Sequence, residues 1–158
     1  MGVVLDTSAI IYLQDFREFG EIFTTDSVIR EVKNRTAVMK LSALNIKVME
    51  PGEKSLNEVK KIAGKTGDLE KLSSTDLEVL ALAKEMDATI VSDDYNVQNV
   101  AEKIGIKFIP VFSRGIKQLF VWKKYCPSCG KYSKDELKEC PVCGASLKRI
   151  PRKKVELK

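Results

Sequence analysis

The sequence predicts an α/β domain, a parallel sheet with helices on both faces, and after it a small C-terminal module built on four cysteines. Three observations carry that prediction. Short apolar runs alternate with stretches of helical apolar spacing through residues 1–112. Two of those runs, "GVVLD" and "TIVSDD", end in acids where a strand would hand over to a helix. Cys126, Cys129, Cys140 and Cys143 then gather late in the chain as C-x2-C-x10-C-x2-C.

In order along the chain, "GVVLD" is a first strand and "TSAIIYL" the helix that leaves it. "TDSVIREVKNR" opens on a capping Thr or Asp and sets Val28, Ile29 and Val32 on one face. "ALNIKVME", stopped by Pro51-Gly52, is expected as the second strand, and a long polar helical stretch covers Ser55 to Leu72. In "SSTDLEVLALAKEM", Thr75 with Glu78 three residues later reads as a capping box, opening a helix whose Leu77, Leu80, Ala81 and Leu82 face the core. "DATIVS" is the third strand, "DDYNVQNVAEKIG" a helix stopped at Gly105, and "IKFIPV" the fourth strand.

The 158 residues, 44% hydrophobic, suffice for one core and one small stapled module. No apolar run approaches a membrane span, and Asp6 stands where a secretory signal would carry basic residues, so a soluble chain of the cytoplasm is expected. Cysteines confined to one segment suit a reducing compartment rather than a secreted disulfide framework. The chain has no histidine, which excludes Ser-His-Asp and Cys-His catalysis, imidazole zinc ligands and the zinc deaminases. With no Gly-x-x-x-x-Gly-Lys-Ser/Thr stretch, a P-loop is excluded too, and carboxylates and lysines are left as the working groups.

In an open parallel sheet, ligands bind outside the carboxyl ends of the strands, where Asp6 and Asp93 are expected. Asp76 falls in the first turn of its helix and Glu31 within the helix after the first crossover. Each acid alone also suits a cap, a first-turn position or a solvated helix face. Asp93 and Asp94 cannot both cap one helix start, so one of them is expected to point freely into the crevice. Carboxylates converging there would raise one another's pKa, a repulsion that a divalent cation relieves, and oxygen ligands alone suit Mg²⁺ or Mn²⁺.

"VVLDTSAII", "VIREVKN", "STDLEVLALA" and "TIVSDDYNVQNVA" resemble, in order, the four acidic motifs of the PIN-domain ribonucleases, over nearly all of residues 1–112. "DDYNVQNVA", with a Trp and a four-cysteine ribbon behind it, is similar to the Nob-type (Nin-one-binding) endonucleases in their short archaeal form. The long insertions of the eukaryotic members are missing. The resemblance implies an endoribonuclease that cleaves precursor rRNA at the 3′ end of the small-subunit rRNA, with the small ribosomal subunit and other assembly factors as partners. It implies Asp6, Glu31, Asp76 and Asp93 as the catalytic set, Mg or Mn held by Asp6, Asp76 and Asp93, and Glu31 and Asp94 as further ligands. It also implies products with 5′-phosphate and 3′-hydroxyl ends. Two other readings use part of the pattern. A PIN-type toxin ribonuclease shares the quartet but is usually that domain alone, and a non-catalytic RNA-binding assembly factor would keep the ribbon without needing four acids.

"CPSCG" and "CPVCG" are expected to close a tetrahedral thiolate site for one structural zinc per chain, each pair a turn opened by its Gly. So small a segment has little core of its own and folds on its metal. Charge marks the same boundary. Residues 1–122 hold 16 Lys and Arg against 18 Asp and Glu, net −2, and residues 123–158 hold 11 against 4, net +7. Four thiolates on a divalent ion leave that segment near +5, enough to suggest a polyanion partner. "FSRGIKQLFVWKKY" interleaves Phe112, Phe120, Trp122 and Tyr125 with Arg114, Lys117, Lys123 and Lys124, a composition suited to single-stranded RNA or to packing the ribbon on the body. The expected division is a nuclease domain over 1–112, a linker over 113–122, the zinc ribbon over 123–150 and a basic tail over 151–158. The expected RNA contacts are Lys117, Lys123, Lys124, Tyr125, Lys131, Lys148 and Arg149.

Overall fold

The computed structural model describes residues 2–112, 118–133 and 137–156. At its centre, β1 (Val3–Leu5) is buried throughout, as a strand covered on both faces must be, and its three residues are all apolar. It pairs in parallel with β2 (Ile22–Thr24) on one side and β4 (Thr89–Val91) on the other, with Val4 opposite both Phe23 and Ile90. The outer strands β3 (Ile46–Val48) and β5 (Phe108–Ile109) complete the order β3-β2-β1-β4-β5. The chain builds outward from β1 in one direction, then returns to the other side of β1 with β4. That reversal puts the topological switch point between β1 and β4, and the crevice outside their carboxyl ends is where ligands bind in such sheets.

Five strands form where four were expected, and the missed one is β2. Ile-Phe-Thr lies between Glu21 and Thr25, too short for alternation to register. The expected second strand is therefore third in sequence and lies at the sheet edge, largely exposed.

The helices form two packed groups, α1 (Thr7–Tyr12) with α2 (Asp26–Glu31) and α3 (Arg35–Ala43), and α4 (Glu53–Thr66) with α5 (Ser74–Met86) and α6 (Tyr95–Ile104). Thr25 caps α2 through the Val28 amide, and Asn34 caps α3. Helix α4 stops short of Leu72 because Gly67 takes φ +77, a left-handed conformation that lets the Asp68 amide close back on the Ala63 carbonyl. The capping box of α5 is Ser73 with Asp76, not Thr75 with Glu78: the Asp76 amide donates to Ser73 Oγ and the Ser73 amide to Asp76 Oδ2. Two side chains are thereby released for other partners, as described below. Leu77, Leu80, Ala81 and Leu82 of α5 are buried, with Val59 and Ala63 of α4 and Val97, Val100 and Ala101 of α6 in the same core.

A second, three-stranded antiparallel sheet runs β7-β6-β8, from β6 (Gln118–Tyr125), β7 (Tyr132–Ser133) and β8 (Lys148–Glu156). Residues 118–122 of the stretch expected as a linker and 151–156 of the stretch expected as a tail thus lie in strands that pair with each other, Leu119 opposite Val155 and Lys123 opposite Ile150. The pairing bulges at Val121/Trp122, where Trp122 faces Pro151. Strand β6 packs against α4 and α6, so the four-cysteine module is docked on the α/β domain. Among the described residues, no helix is long and apolar enough to cross a membrane.

Candidate functional site

Asp6 follows β1 directly and is buried at the switch point. Its Oδ1 caps α1, accepting from the Ala9 amide at 2.8 Å and from Ser8 Oγ at 2.7 Å. Burial raises its pKa above the ordinary carboxylate value, Ser92 and the cap bonds oppose that rise, and the Asp76 charge adds to it. Asp76 is raised for the same first reason, with the charges of Asp94 and Glu31 adding to the rise. The fold therefore brings acids from the ends of β1, α2 and β4 and from the start of α5 within electrostatic reach of one another.

Glu31, the last residue of α2, accepts from Thr7 Oγ1 at 2.8 Å and from Thr75 Oγ1 at 2.7 Å. Two helix starts thus hold one carboxylate between them. Thr75 is available for this because Ser73 carries the cap, and Glu78 accepts instead from Ser27 Oγ, which also bonds Thr25.

The two adjacent acids after β4 divide differently from expectation. Asp94 caps α6 through the Asn96 amide at 2.7 Å and the Val97 amide at 3.4 Å, and its charge, like that of Glu31, adds to the rise at Asp76. Asp93 does not point freely into the crevice: its carboxylate accepts from the Val111 amide at 2.8 Å and the Phe112 amide at 3.0 Å, holding the chain beyond β5. Capping does not disqualify an acid as a ligand. A carboxylate offers about four acceptor positions, and the cap amides fall on one oxygen each of Asp76 and Asp94.

Sequence reasoning missed the hydroxyls. Thr7, Ser8, Thr75 and Ser92 bond or face the acids. The signal was present in "DTS", "SSTD" and "VSDD", where every crevice acid except Glu31 has a Ser or Thr beside it or one residue away.

The second site is the thiol cluster. The sulfurs of Cys126, Cys129, Cys140 and Cys143 lie within 4.8 Å of one another, with Cys126 to Cys143 at 3.4 Å and Cys129 to Cys140 at 3.6 Å. Sulfurs at 2.3 Å from a tetrahedral zinc stand about 3.8 Å apart, so the four fit that ion with little adjustment. The two knuckles are built alike. Gly130 and Gly144 take φ +74 and +73 and send their amides to the Cys126 and Cys140 carbonyls. The Cys129 amide donates to the Cys126 sulfur, holding that thiol below its usual range, and the Cys143 and Val142 amides bring Cys140 down to about 6.

The basic residues separate by face, because opposed residues in an antiparallel pair share one. One row is Ser133, Lys124 and Arg149. Lys124 is 9% exposed and ion-paired to Glu70 at 2.8 Å. Arg149 donates its guanidinium to the Gly67 carbonyl and to Asp68, which Asn99 of α6 also bonds. Both were expected on RNA, and both instead dock the ribbon on the body. The other row is Tyr132, Tyr125 and Lys148, with Lys123 and Ile150 next to it on the same face. Tyr125 and Tyr132 meet at a tilt of 56° with ring centroids 5.5 Å apart, Lys148 is exposed, and Lys131 is exposed just before β7. Lys117 lies outside the described residues, as do Arg114 and the side chains of Phe120 and Trp122.

The sequence matches known proteins over nearly its whole length. The chain matches the PIN domain of ribonuclease over residues 3–86 and the PINc domain ribonuclease over residues 65–120. Endoribonuclease Nob1 of Pyrococcus abyssi is 44% identical over 97% of this chain and 96% of its own length. Endoribonuclease Nob1 of Archaeoglobus fulgidus is 38% identical over 96% and 93%, and Ribonuclease VapC1 of Thermoplasma acidophilum is 39% identical over 94% and 78%. With its nuclease domain and its thiol ribbon covered together by such relatives, the chain belongs to the PIN-domain endoribonucleases of the Nob1 type.

Proposed function

We propose that this chain cleaves precursor rRNA at the 3′ end of the small-subunit rRNA, hydrolysing the phosphodiester with a divalent cation, Mg²⁺ or Mn²⁺, in the crevice between β1 and β4. The observation that carries the reading is the convergence of Asp6, Asp76, Asp94 and Glu31 there, two of them with raised pKa values and none with a lysine or arginine paired to it in the described bonds. All the donors are oxygens, which fits a hard cation. Asp6, Asp76 and Asp94 would hold the ion, Asp94 in the place that the family resemblance implied for Asp93. A cation held there supplies charge neutralisation for the phosphate and activation of the attacking water.

The chain's own groups do the rest. The hydroxyls of Ser8 and Ser92 fix the Asp6 carboxylate, and those of Thr7 and Thr75 fix Glu31, so neither has to be ordered during the reaction. Glu31 sits where it can orient the attacking water or bind a second ion. Attack at phosphorus then leaves 5′-phosphate and 3′-hydroxyl ends. The zinc ribbon presents Lys123, Tyr125, Lys131, Tyr132 and Lys148 to the RNA, cations for phosphate and rings for bases.

Incubating the zinc-loaded chain with RNA spanning the small-subunit 3′ end, with Mn²⁺ or with EDTA, and mapping cuts to the nucleotide tests the proposal. One metal-dependent cut at the mature 3′ end supports it. Preferential cutting of other RNAs, with the rRNA junction intact, would favour the toxin-like reading suggested by the VapC1 relative.

A further inference from the structure

The acid crevice has an aromatic rim. Tyr12, the last residue of α1, and Phe112, just beyond β5, meet edge to face with ring centroids 5.3 Å apart. They are 51% and 70% exposed. A solitary exposed apolar side chain is ordinary, but these two are aromatic, touch each other and are tied to the acids. The Phe112 amide donates to Asp93, the Asp93 amide donates to Ser8 Oγ at 3.3 Å, and Ser8 donates to Asp6. Tyr12 rides on the helix that Asp6 caps, about 9 Å further along its axis.

The surroundings indicate what the rings take. Carboxylates dominate this end of the sheet and residues 1–122 are net negative, so phosphate contacts are disfavoured here, whereas a base offers an uncharged π face. An edge-to-face pair leaves a ring face open, and unpaired nucleotides of single-stranded RNA splay their bases onto such rings. We propose that Tyr12 and Phe112 form a stacking subsite for one unpaired base next to the phosphate cut at the acid crevice, with Asp93 as the residue that positions Phe112. The subsite rests on the nuclease reading above.

The test uses the full-length, zinc-loaded chain and a single-stranded oligonucleotide of the rRNA 3′ end with 2-aminopurine placed at successive positions. Binding without added Mg²⁺ or Mn²⁺ is read by fluorescence, and cleavage is read separately after Mn²⁺ addition. At one position, wild type quenches the probe. Phe112→Ala abolishes that quenching and weakens binding on the order of ten-fold, and Phe112→Trp restores both. Asp93→Ala loses the quenching, whereas Asp93→Asn keeps it, because its carboxamide oxygen still accepts from the Val111 and Phe112 amides. If wild type cuts the oligonucleotide but Phe112→Ala and Tyr12→Ala quench and bind like it, the subsite is overturned and the nuclease reading stands. If quenching depends on Phe112 but wild type never cuts, the nuclease reading is overturned, and with it the placement beside a scissile phosphate. Neither quenching nor cutting overturns both.

Discussion

Arg149 of β8 meets Asp68, the residue after the α4 terminus, at 2.8 Å, and Asp68 is 1% exposed. A buried ion pair therefore joins the four-cysteine module to the nuclease domain. Asn99 reaches the same carboxylate from α6, the helix that Asp94 caps, so the docking point and the crevice share one rigid element.

Removing Arg149 leaves a buried charge with only neutral partners. Burial already raises the Asp68 pKa, and Arg149 opposes that rise. Arg149→Met is expected to destabilise the protein by about 3–5 kcal/mol at neutral pH. A folded pKa raised above the unfolded one favours the fold at low pH and loses that contribution as pH rises through the folded value. The variant's deficit should thus shrink on acidification, as Asp68 takes up a proton. Urea unfolding at pH 7 and pH 5 checks this, and an equal deficit at both would reject it.

The crevice acids should trade stability against activity. Asp6→Asn and Asp76→Asn keep a cap acceptor, since Asn caps as well as Asp, while removing a charge that burial penalises. Both folded pKa values are raised, so the wild-type charges disfavour the metal-free fold at neutral pH and cease to do so as the carboxyls protonate. Without divalent ions each variant should melt level with or above wild type at pH 7, the gap closing toward pH 4. Loss of an outer partner of a metal site costs about 10- to 100-fold, so loss of a ligand should slow cleavage at least 100-fold. Wild-type cleavage by Asp6→Asn would remove Asp6 from the site.

Thr75→Val separates positioning from packing. Valine keeps the buried branched shape and removes only the hydroxyl that donates to Glu31. Stability should change by about 1 kcal/mol, whereas cleavage should fall about 10- to 100-fold. A rate within two-fold of wild type would show that Glu31 needs no fixing by α5.

Much of this was legible in the sequence, for reasons specific to each element. Val3–Leu5 and Ile90–Val91 announce themselves because strands buried on both faces are mostly apolar, and Gly105 ends α6 where expected. The positions of Asp6, Asp93 and Asp94 just beyond β1 and β4 were legible because acids close the apolar runs that form those strands. That Asp93 accepts from the Val111 and Phe112 amides was beyond the sequence, since it depends on where the backbone of residues 111–112 passes. Lys124 and Arg149 were misplaced because "KKY" and "KRI" look uniformly basic until strand register assigns alternate residues to opposite faces.

The thiol site should hold one zinc per chain, measurable by elemental analysis of protein purified without chelator. Cys126→Ser should lose the zinc and the order of the ribbon while residues 2–112 stay folded, because their core is separate. Hydrogen exchange resolved by segment checks it. Protein without zinc, whose cysteines cycle as disulfides, would point to a redox site instead.

The two faces of the ribbon sheet should answer oppositely to loss of charge. Lys123 and Lys148 lie on the face of the Tyr125–Tyr132 ring pair, with exposed Lys131 just before β7, whereas Lys124 is buried against Glu70. Each lysine that neutralises a phosphate of single-stranded RNA adds about 0.7 to the slope of log affinity against log salt. The triple variant Lys123→Met, Lys131→Met and Lys148→Met should therefore flatten that slope by about 2 and weaken binding at low salt, with the melting temperature nearly unchanged. Lys124→Met should do the reverse, lowering stability because Glu70 loses its partner while leaving the salt slope as it was. RNA titrations at a series of salt concentrations, with thermal melts of the same samples, measure both. A flattened slope in Lys124→Met at unchanged stability would mean that RNA displaces the Glu70 contact, and that the inner face, not the outer, meets the substrate.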